Sequence, residues 1–304
     1  MHLKFRQLQM FSVLMEAGSV SRAAERLNLT QPAVSIALSN LESEIGFRLF
    51  NRSKGYFEPT SDALLLSNEV EQSLLAMSRV ERRALEIRTG TTGSVAIASN
   101  GAAAINLLPT LIADFHQQHS GIHVDLKIRS SRQIAAWVAG NQVDIGLIDA
   151  PVPVAGVHST IYRMPCVCIM QSEDPLLKHD VIRPRMLDSR SVVAITGNHS
   201  IDQQLDSLCT RHNVKIDRRV SSYYFAIARN MVRAGAGVAL IDPVNGKAEL
   251  GDHVQWRYFE PSIHYELALI TPREPIKNQA AERLHAELDK CLCDTEKVKK
   301  FDGS

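Results

Sequence analysis

The sequence predicts two structural classes in one chain: an α unit at the N-terminus and an α/β unit after it. Three observations carry this. Residues 4–45 place apolar residues at helical spacing, with Gly and capping residues between the periodic runs. Residues 60–88 keep one apolar seam on a seven-residue grid. From residue 94 onward, short apolar runs alternate with helical stretches, the pattern of a parallel sheet wrapped by helices.

The first helix spans 4–17 with Phe5, Leu8, Phe11 and Met15 inward. Ser19 caps a second, whose Val20, Ala23, Ala24 and Leu27 recur at i, i+3, i+4, i+7. Asn28 and Leu29 make a turn. Thr30 caps a third helix with Pro32 in its first turn, where a missing N–H costs nothing. Val34, Leu38, Leu41 and Ile45 face inward; Gln31, Pro32, Ser35, Ile36 and Ser39 face out. Small hydrogen-bonding groups beside one branched apolar residue suit a DNA major groove, where Ile36 can meet a thymine methyl. A solvent-exposed helical hairpin is the plainer reading of the same face. Gly46 ends the third helix as a C-cap.

The stretch AGSVSRAAERLNLTQPAVSIALSNLESEIGFRLFNR, ending at Arg52, resembles the winged helix-turn-helix of the LysR-type transcriptional regulators. The Ala23-Ala24 pair, Gln31-Pro32-Ala33-Val34-Ser35, Leu41-Glu42 and Leu49-Phe50-x-Arg52 stand in the family's order. The resemblance implies double-stranded promoter DNA as partner, contacted by Ser21, Thr30, Gln31, Pro32, Ser35, Ile36, Ser39, Arg52 and Lys54. Arg52 and Lys54, with the Gly55 turn, form a basic hairpin or wing, and the resemblance puts Arg52 on the phosphate backbone or in the minor groove. A solvated surface arginine is the alternative. Many members carry a basic or long polar residue where this chain has Ile36 and Ala37, so base preference there does not transfer.

Thr60 opens a helix to about Arg88. Ala63, Val70, Met77 and Ala84 share one heptad position; Leu66, Ser73, Val80 and Ile87 share the next. Such a seam is predicted to pair with a second chain, and the resemblance implies a homodimer through this linker and a homotetramer beyond it. After the Thr89–Gly93 joint come strand 94–99, helix 107–119, strand 122–128, helix 132–139 and strand 143–148. The chain leaves this unit near 151–157. A second series follows, with strands at 166–170, 192–195, 218–221 and 238–241, and helices at 201–212 and 223–234. Strand 265–271 then returns, helix 277–292 closes the unit, and the charged tail TEKVKKFDGS is predicted to fray.

Two α/β lobes resemble the family's periplasmic-binding-protein-like effector domain. The fold expected is therefore α and α/β: an N-terminal winged helix-turn-helix (1–60), a linker helix and hinge (61–90), and a two-lobed effector-binding domain (91–304). Lobe I takes about 91–160 and 266–304, lobe II about 161–265. Residues 214–243 resemble in particular the branch containing the regulator of lysine biosynthesis and regulators of opine catabolism, which implies an amino-acid-like effector.

Open parallel sheets bind ligands at the carboxyl ends of their strands. Those ends hold Ser99, Asn100 and Gly101; Ser130 and Ser131; Asp149; Thr196, Asn198 and His199; Ser221; and Asp242. Hydroxyls and backbone N–H groups at helix starts suit a ligand carboxylate, and helix capping explains each singly. Asp149 either accepts a ligand ammonium group or braces the hinge.

Net charge is +1, and residues 1–60 set Lys4, Arg6, Arg22, Arg26, Arg48, Arg52 and Lys54 against Glu16, Glu25, Glu42, Glu44 and Glu58. So weak a field argues for local, geometry-driven DNA contact over electrostatic adhesion. No apolar run approaches a membrane span and the N-terminus lacks a signal-peptide pattern, so a cytoplasmic protein is expected. Five cysteines without an export signal argue against a disulfide framework, and Cys291-x-Cys293 lacks further ligands for a metal. Gly235-x-Gly237 precedes a strand instead of opening a helix, so it is no dinucleotide fingerprint. No nucleophile elbow or zinc-protease motif is present. Neither catalytic residues nor cofactor are expected; RNA polymerase is a further candidate partner. A transport solute-binding protein shares the two-lobed plan but not the helical N-terminus.

Overall fold

The computed structural model describes residues 3–53, 56–89, 93–152, 154–196 and 199–303. Lys54, the Gly55 turn and Asn198 lie outside the described residues, as does the side chain of Arg52. The chain divides into two compact units, Met1–Thr89 and Gly90–Ser304.

In the first unit α1 (Phe5–Ala17), α2 (Val20–Leu27) and α3 (Gln31–Ile45) precede a hairpin of β1 (Phe50–Ser53) and β2 (Tyr56–Pro59), then α4 (Ser61–Thr89). Ser19 Oγ accepts the N–H of Arg22 and Thr30 Oγ1 that of Ala33, so both expected caps form. Asn28 turns the chain with φ 53°, and Gly46, at φ 84°, ends α3 by donating its N–H to Glu42 O. The buried face of α1 is Met10, Phe11, Leu14 and Ala17. The expected face therefore shares only Phe11 with it; Phe5, Leu8 and Met15 are half-buried at its flanks. Phe50 stacks on Phe57 at 4.3 Å and meets Phe11 edge-on at 6.1 Å, which ties the hairpin to the helical core.

The seam of α4 is divided. Ala63 and Val70 are buried in the core of their own unit, with Leu66 packed beside them. Met77 and Val80, further along, are exposed, Val80 by 63%. The first half of α4 thus belongs to the helical unit, and among the described side chains the uncovered seam is Met77, Val80 and Ala84; the side chain of Ile87 lies outside the described residues.

In the second unit β3 (Ser94–Ser99), α5 (Gly101–Ala104), α6 (Leu108–Gln118), β4 (His123–Ile128), α7 (Ser131–Ala139), β5 (Ile145–Asp149) and β6 (Val157–Pro165) build lobe I. Lobe II holds β7 (Val167–Gln171), β8 (Val181–Ile182), β9 (Ala194–Ile195), α8 (Ser200–Arg211), β10 (Ser221–Ser222), α9 (Phe225–Arg233), β11 (Ala239–Ile241), α10 (Pro243–Gly246) and β12 (Val254–Phe259). The chain returns through β13 (His264–Pro272), α11 (Gln279–Cys293) and β14 (Lys299–Gly303). The larger, six-stranded sheet has the order β14-β6-β13-β5-β3-β4; a four-stranded sheet runs β11-β7-β12-β8, and β10 and β9 form a separate parallel pair.

Within the larger sheet β4, β3 and β5 are parallel, as the alternating pattern predicts, while β13, β6 and β14 run antiparallel to their neighbours. β6 continues lobe I to Pro165, beyond the expected break near 160, and the crossing falls where Cys166 N–H donates to Ile263 O at 2.8 Å. The tail does not fray: Lys299–Gly303 pairs with Ser159–Arg163. Lys300 Nζ reaches Asp289 at 2.7 Å. Backbone pairing holds this strand, and its lysines keep the outer edge from pairing further. Composition alone registers the charges and misses the ladder.

Candidate DNA-contacting face and effector cleft

The outward face of α3 follows from its periodicity. Val34, Leu38 and Leu41 are fully buried, which fixes the helix rotation. Gln31, Pro32 and Ser39 are exposed, Ser35 is half-buried at the edge, and Ile36 is 62% exposed. Gln31, Ser35 and Ser39 follow one i, i+4 row; Pro32 and Ile36 follow the row beside it. Ile36 is thus a branched apolar side chain left in solvent among hydroxyls and amides on that face. Gln31 Nε2 donates to Ser21 Oγ at 2.7 Å, which joins the start of α3 to α2. Thr30 faces solvent with its hydroxyl oxygen used as the cap. Behind α3, Glu42 Oε1 accepts the N–H of Leu49 and Phe50 at 2.8 and 3.2 Å and holds the entry to the hairpin.

The second unit carries a cavity of about 140 Å³ between its lobes, at strand ends. Lobe I supplies Asn100, Gly101 and Asp149; lobe II supplies Thr196, His199, Tyr224 and Phe225. Five strand-end residues expected there do not line it. Ser99 is fully buried, and its hydroxyl donates to Asn100 O. Ser130 Oγ caps α7 by accepting Gln133 N–H, and Ser221 is exposed away from the lining. Asp242 is 1% exposed and caps α10, accepting both the N–H and the side-chain amide of Asn245. That amide also donates to Ala102 O at 2.7 Å, across the lobes. Ser131 stands behind the cavity, its hydroxyl donating to Asp149 Oδ2 at 3.1 Å.

Asp149 is heavily engaged. Its Oδ1 accepts from Asn100 Nδ2 at 2.7 Å and from Tyr265 OH at 2.6 Å. Two donors fill that oxygen, and Ser131 takes one site on the other. One lone pair of Oδ2 is therefore what Asp149 can offer a ligand, so bracing is its larger role. Burial, then the Asp149 charge, push the Tyr265 phenol well above its ordinary range. His199 Nδ1 accepts the N–H of Ile201 at 3.3 Å, leaving Nε2 as the protonated nitrogen. Its ring stacks on Tyr265 at 6.0 Å and meets Phe225 edge-on at 5.2 Å. Burial lowers its pKa, opposed by the charges of Asp149 and Asp202, so the ring is a neutral donor.

Sequence reasoning missed the aromatic wall. Tyr223-Tyr224-Phe225 directly follows a strand end and was open to discovery by that rule. Tyr265 lies 116 residues from Asp149 and gave no local signal. Gly101 is where the wall closes: a Cβ there would stand 1.8 Å from Tyr224 Cδ1. A larger groove of about 760 Å³ lies between α6, the segment after α10 and the end of α11, but no strand end opens into it. Size does not make it the better candidate. Among the described residues no three His, Cys, Asp or Glu side chains gather as a metal site, and no helix is long and apolar enough to cross a membrane.

A DNA-suited helix on one unit and a two-lobed cleft on the other define an effector-responsive regulator. The family profile described as "Bacterial regulatory helix-turn-helix protein, lysR family" matches residues 5–64, and that described as "LysR substrate binding domain" matches 88–291. The chain belongs to the LysR family of transcriptional regulators. It is a DNA-binding regulator with an effector-binding domain, works as an oligomer, and is not an enzyme. It is 28% identical over 271 residues to the transcriptional activator protein LysR of Escherichia coli K12, covering 89% of this chain and 87% of that one. It is 24% identical over 273 residues to the regulatory protein NocR of Agrobacterium fabrum C58, covering 90% and 91%. In fold it is similar to CbnR, a LysR family transcriptional regulator, at a TM-score of 0.73 and 16% identity over 95% of this chain and 99% of CbnR.

Proposed function

We propose that the regulator is cytoplasmic, reads promoter DNA through the outer face of α3, and pairs subunits through the exposed half of α4. An amino acid or amino-acid derivative bound in the inter-lobe cavity sets its activity. The DNA contact set is Gln31, Pro32, Ser35, Ile36 and Ser39, with Arg52 and Lys54 from the hairpin; Ser21 acts through its bond to Gln31. Thr30 contributes by fixing the start of the helix. The observation that carries this is the 62% exposed Ile36 flanked by hydroxyl and amide side chains on a helix whose opposite face is fully buried.

The effector class is supported by the similarity to LysR and NocR and by the cavity's chemistry. Thr196 and the neutral His199 offer donors to a carboxylate beside the start of α8. Asp149 offers its remaining lone pair to an ammonium group. A cavity of about 140 Å³ is below the usual range for drug-sized ligands, so it fits an amino-acid head group and leaves a longer side chain at the mouth by Tyr223. Effector binding favours one lobe arrangement and thereby alters how paired subunits, two or four, sit on promoter DNA and meet RNA polymerase. Calorimetry of the full chain against a panel of amino acids and opines tests the effector reading. Binding that weakens about tenfold or more in Thr196→Val supports it, and no binding across the panel sinks it.

A further inference from the structure

The 2.7 Å bond between Gln31 and Ser21 bears on which base the recognition helix selects. Ser19 already caps α2, so the Ser21 hydroxyl is not used for capping; among the described residues Gln31 is its one hydrogen-bond partner. Both side chains are exposed, and both stand where two helices start. The bond spends one of the two N–H groups of the Gln31 amide and fixes the amide plane. What remains is one carbonyl oxygen, an acceptor, and one N–H, a donor.

The major-groove edge of adenine presents a donor, N6–H, beside an acceptor, N7. The edge of guanine presents two acceptors, O6 and N7. An amide free to rotate can turn its NH₂ toward guanine. One held by Ser21 meets adenine with both groups paired, but meets guanine with its carbonyl oxygen facing O6. We infer that Ser21 is a specificity-determining positioning residue, which holds Gln31 to read adenine and reject guanine in the operator. The inference rests on the proposal that α3 enters the major groove. It adds a base identity, and a residue that acts on that base through another side chain.

The test uses the full chain and an operator obtained by selecting random duplexes with the native protein. Affinities are measured for every single-base-pair change in one half-site. At one position the native protein is expected to prefer A·T over G·C by about tenfold or more, and Gln31→Ala removes that preference. Ser21→Ala is expected to lower the same ratio at least about threefold, leaving the other positions and the affinity for random duplex unchanged; Ser21→Thr keeps it. A cap or packing role would instead weaken all duplexes together. If Gln31→Ala flattens one position while Ser21→Ala leaves it intact, the inference is overturned and groove reading by α3 stands. Should Gln31→Ala change no position, both fall.

Discussion

His199, His264 and His285 are each held below the ordinary imidazole pKa, chiefly by burial. Each stays neutral in the folded chain at a pH where the unfolded chain protonates it. The stability they contribute is intact above about pH 6.5, the unfolded value, and is lost progressively as pH falls from there through the lower folded pKa. Asp242 has the opposite sign: burial pushes its carboxyl up to about 6, so protonation from that pH downward favours the folded form. His199→Asn isolates one term, because Asn can still cap α8 but does not titrate. Urea unfolding of the variant at pH 7.5 and 5.5 should show a smaller loss than the native chain shows; an equal loss would remove His199 from the balance. Gly101 is the other residue with a sharp consequence. Gly101→Ala drives a methyl into the Tyr224 ring and should cost about 1–3 kcal/mol by chemical denaturation. Much of that cost should vanish in a Tyr224→Ala background, and a cost independent of Tyr224 would mean the contact is not what demands glycine.

Among the elements, α4 separates two uses of one apolar pattern. Val70→Asp puts a charge into the core of the helical unit and should lower its stability by more than about 2 kcal/mol. Val80→Asp, at a side chain 63% exposed, should leave that stability within about 0.5 kcal/mol and halve the sedimenting mass of the assembly. If Val80→Asp sediments as the native chain does, the exposed half of the seam is not the pairing surface. The buried pair in lobe II gives a second test. Arg229, 2% exposed, donates to both oxygens of Asp252 and to the carbonyls of Asn245 and Gly246. Arg229→Ala strands a carboxylate and two carbonyls and should cost about 3–5 kcal/mol in thermal or urea unfolding.

The same elements show what the sequence could carry. Helix-turn-helix caps and burial were legible because Ser19, Thr30, Gly46 and the Val34-Leu38-Leu41 row act within a few residues of one another. The long strand β6 was not, because Val157–Pro165 mixes His158, Ser159 and Arg163 with its apolar residues, and its partners lie in β13 and β14 more than ninety residues on. Asn100, Asp149 and His199 could be named from strand ends. Their joining through Tyr265 depends on how β13 returns, which no local pattern encodes. Ser99 and Asp242 obeyed the strand-end rule and still turned inward, because a residue there can satisfy its own backbone as readily as a ligand.

For the molecule as a whole, a net charge of +1 limits what electrostatics contributes to DNA affinity, and phosphate contacts carry no sequence information, so discrimination rests on base-edge contacts and DNA shape. The two units divide the work: the first contacts DNA, and the second presents a cleft whose lobes are tied through Asn245–Ala102 and the His199–Tyr265 ring stack. Footprints on a selected promoter fragment should change in extent between free and effector-saturated protein. The most direct measurement is the ratio of affinities for operator and random duplex in a chain carrying Ser35→Ala and Ser39→Ala. Groove reading by α3 predicts that the ratio falls about tenfold or more while the affinity for random duplex holds. An unchanged ratio would contradict it.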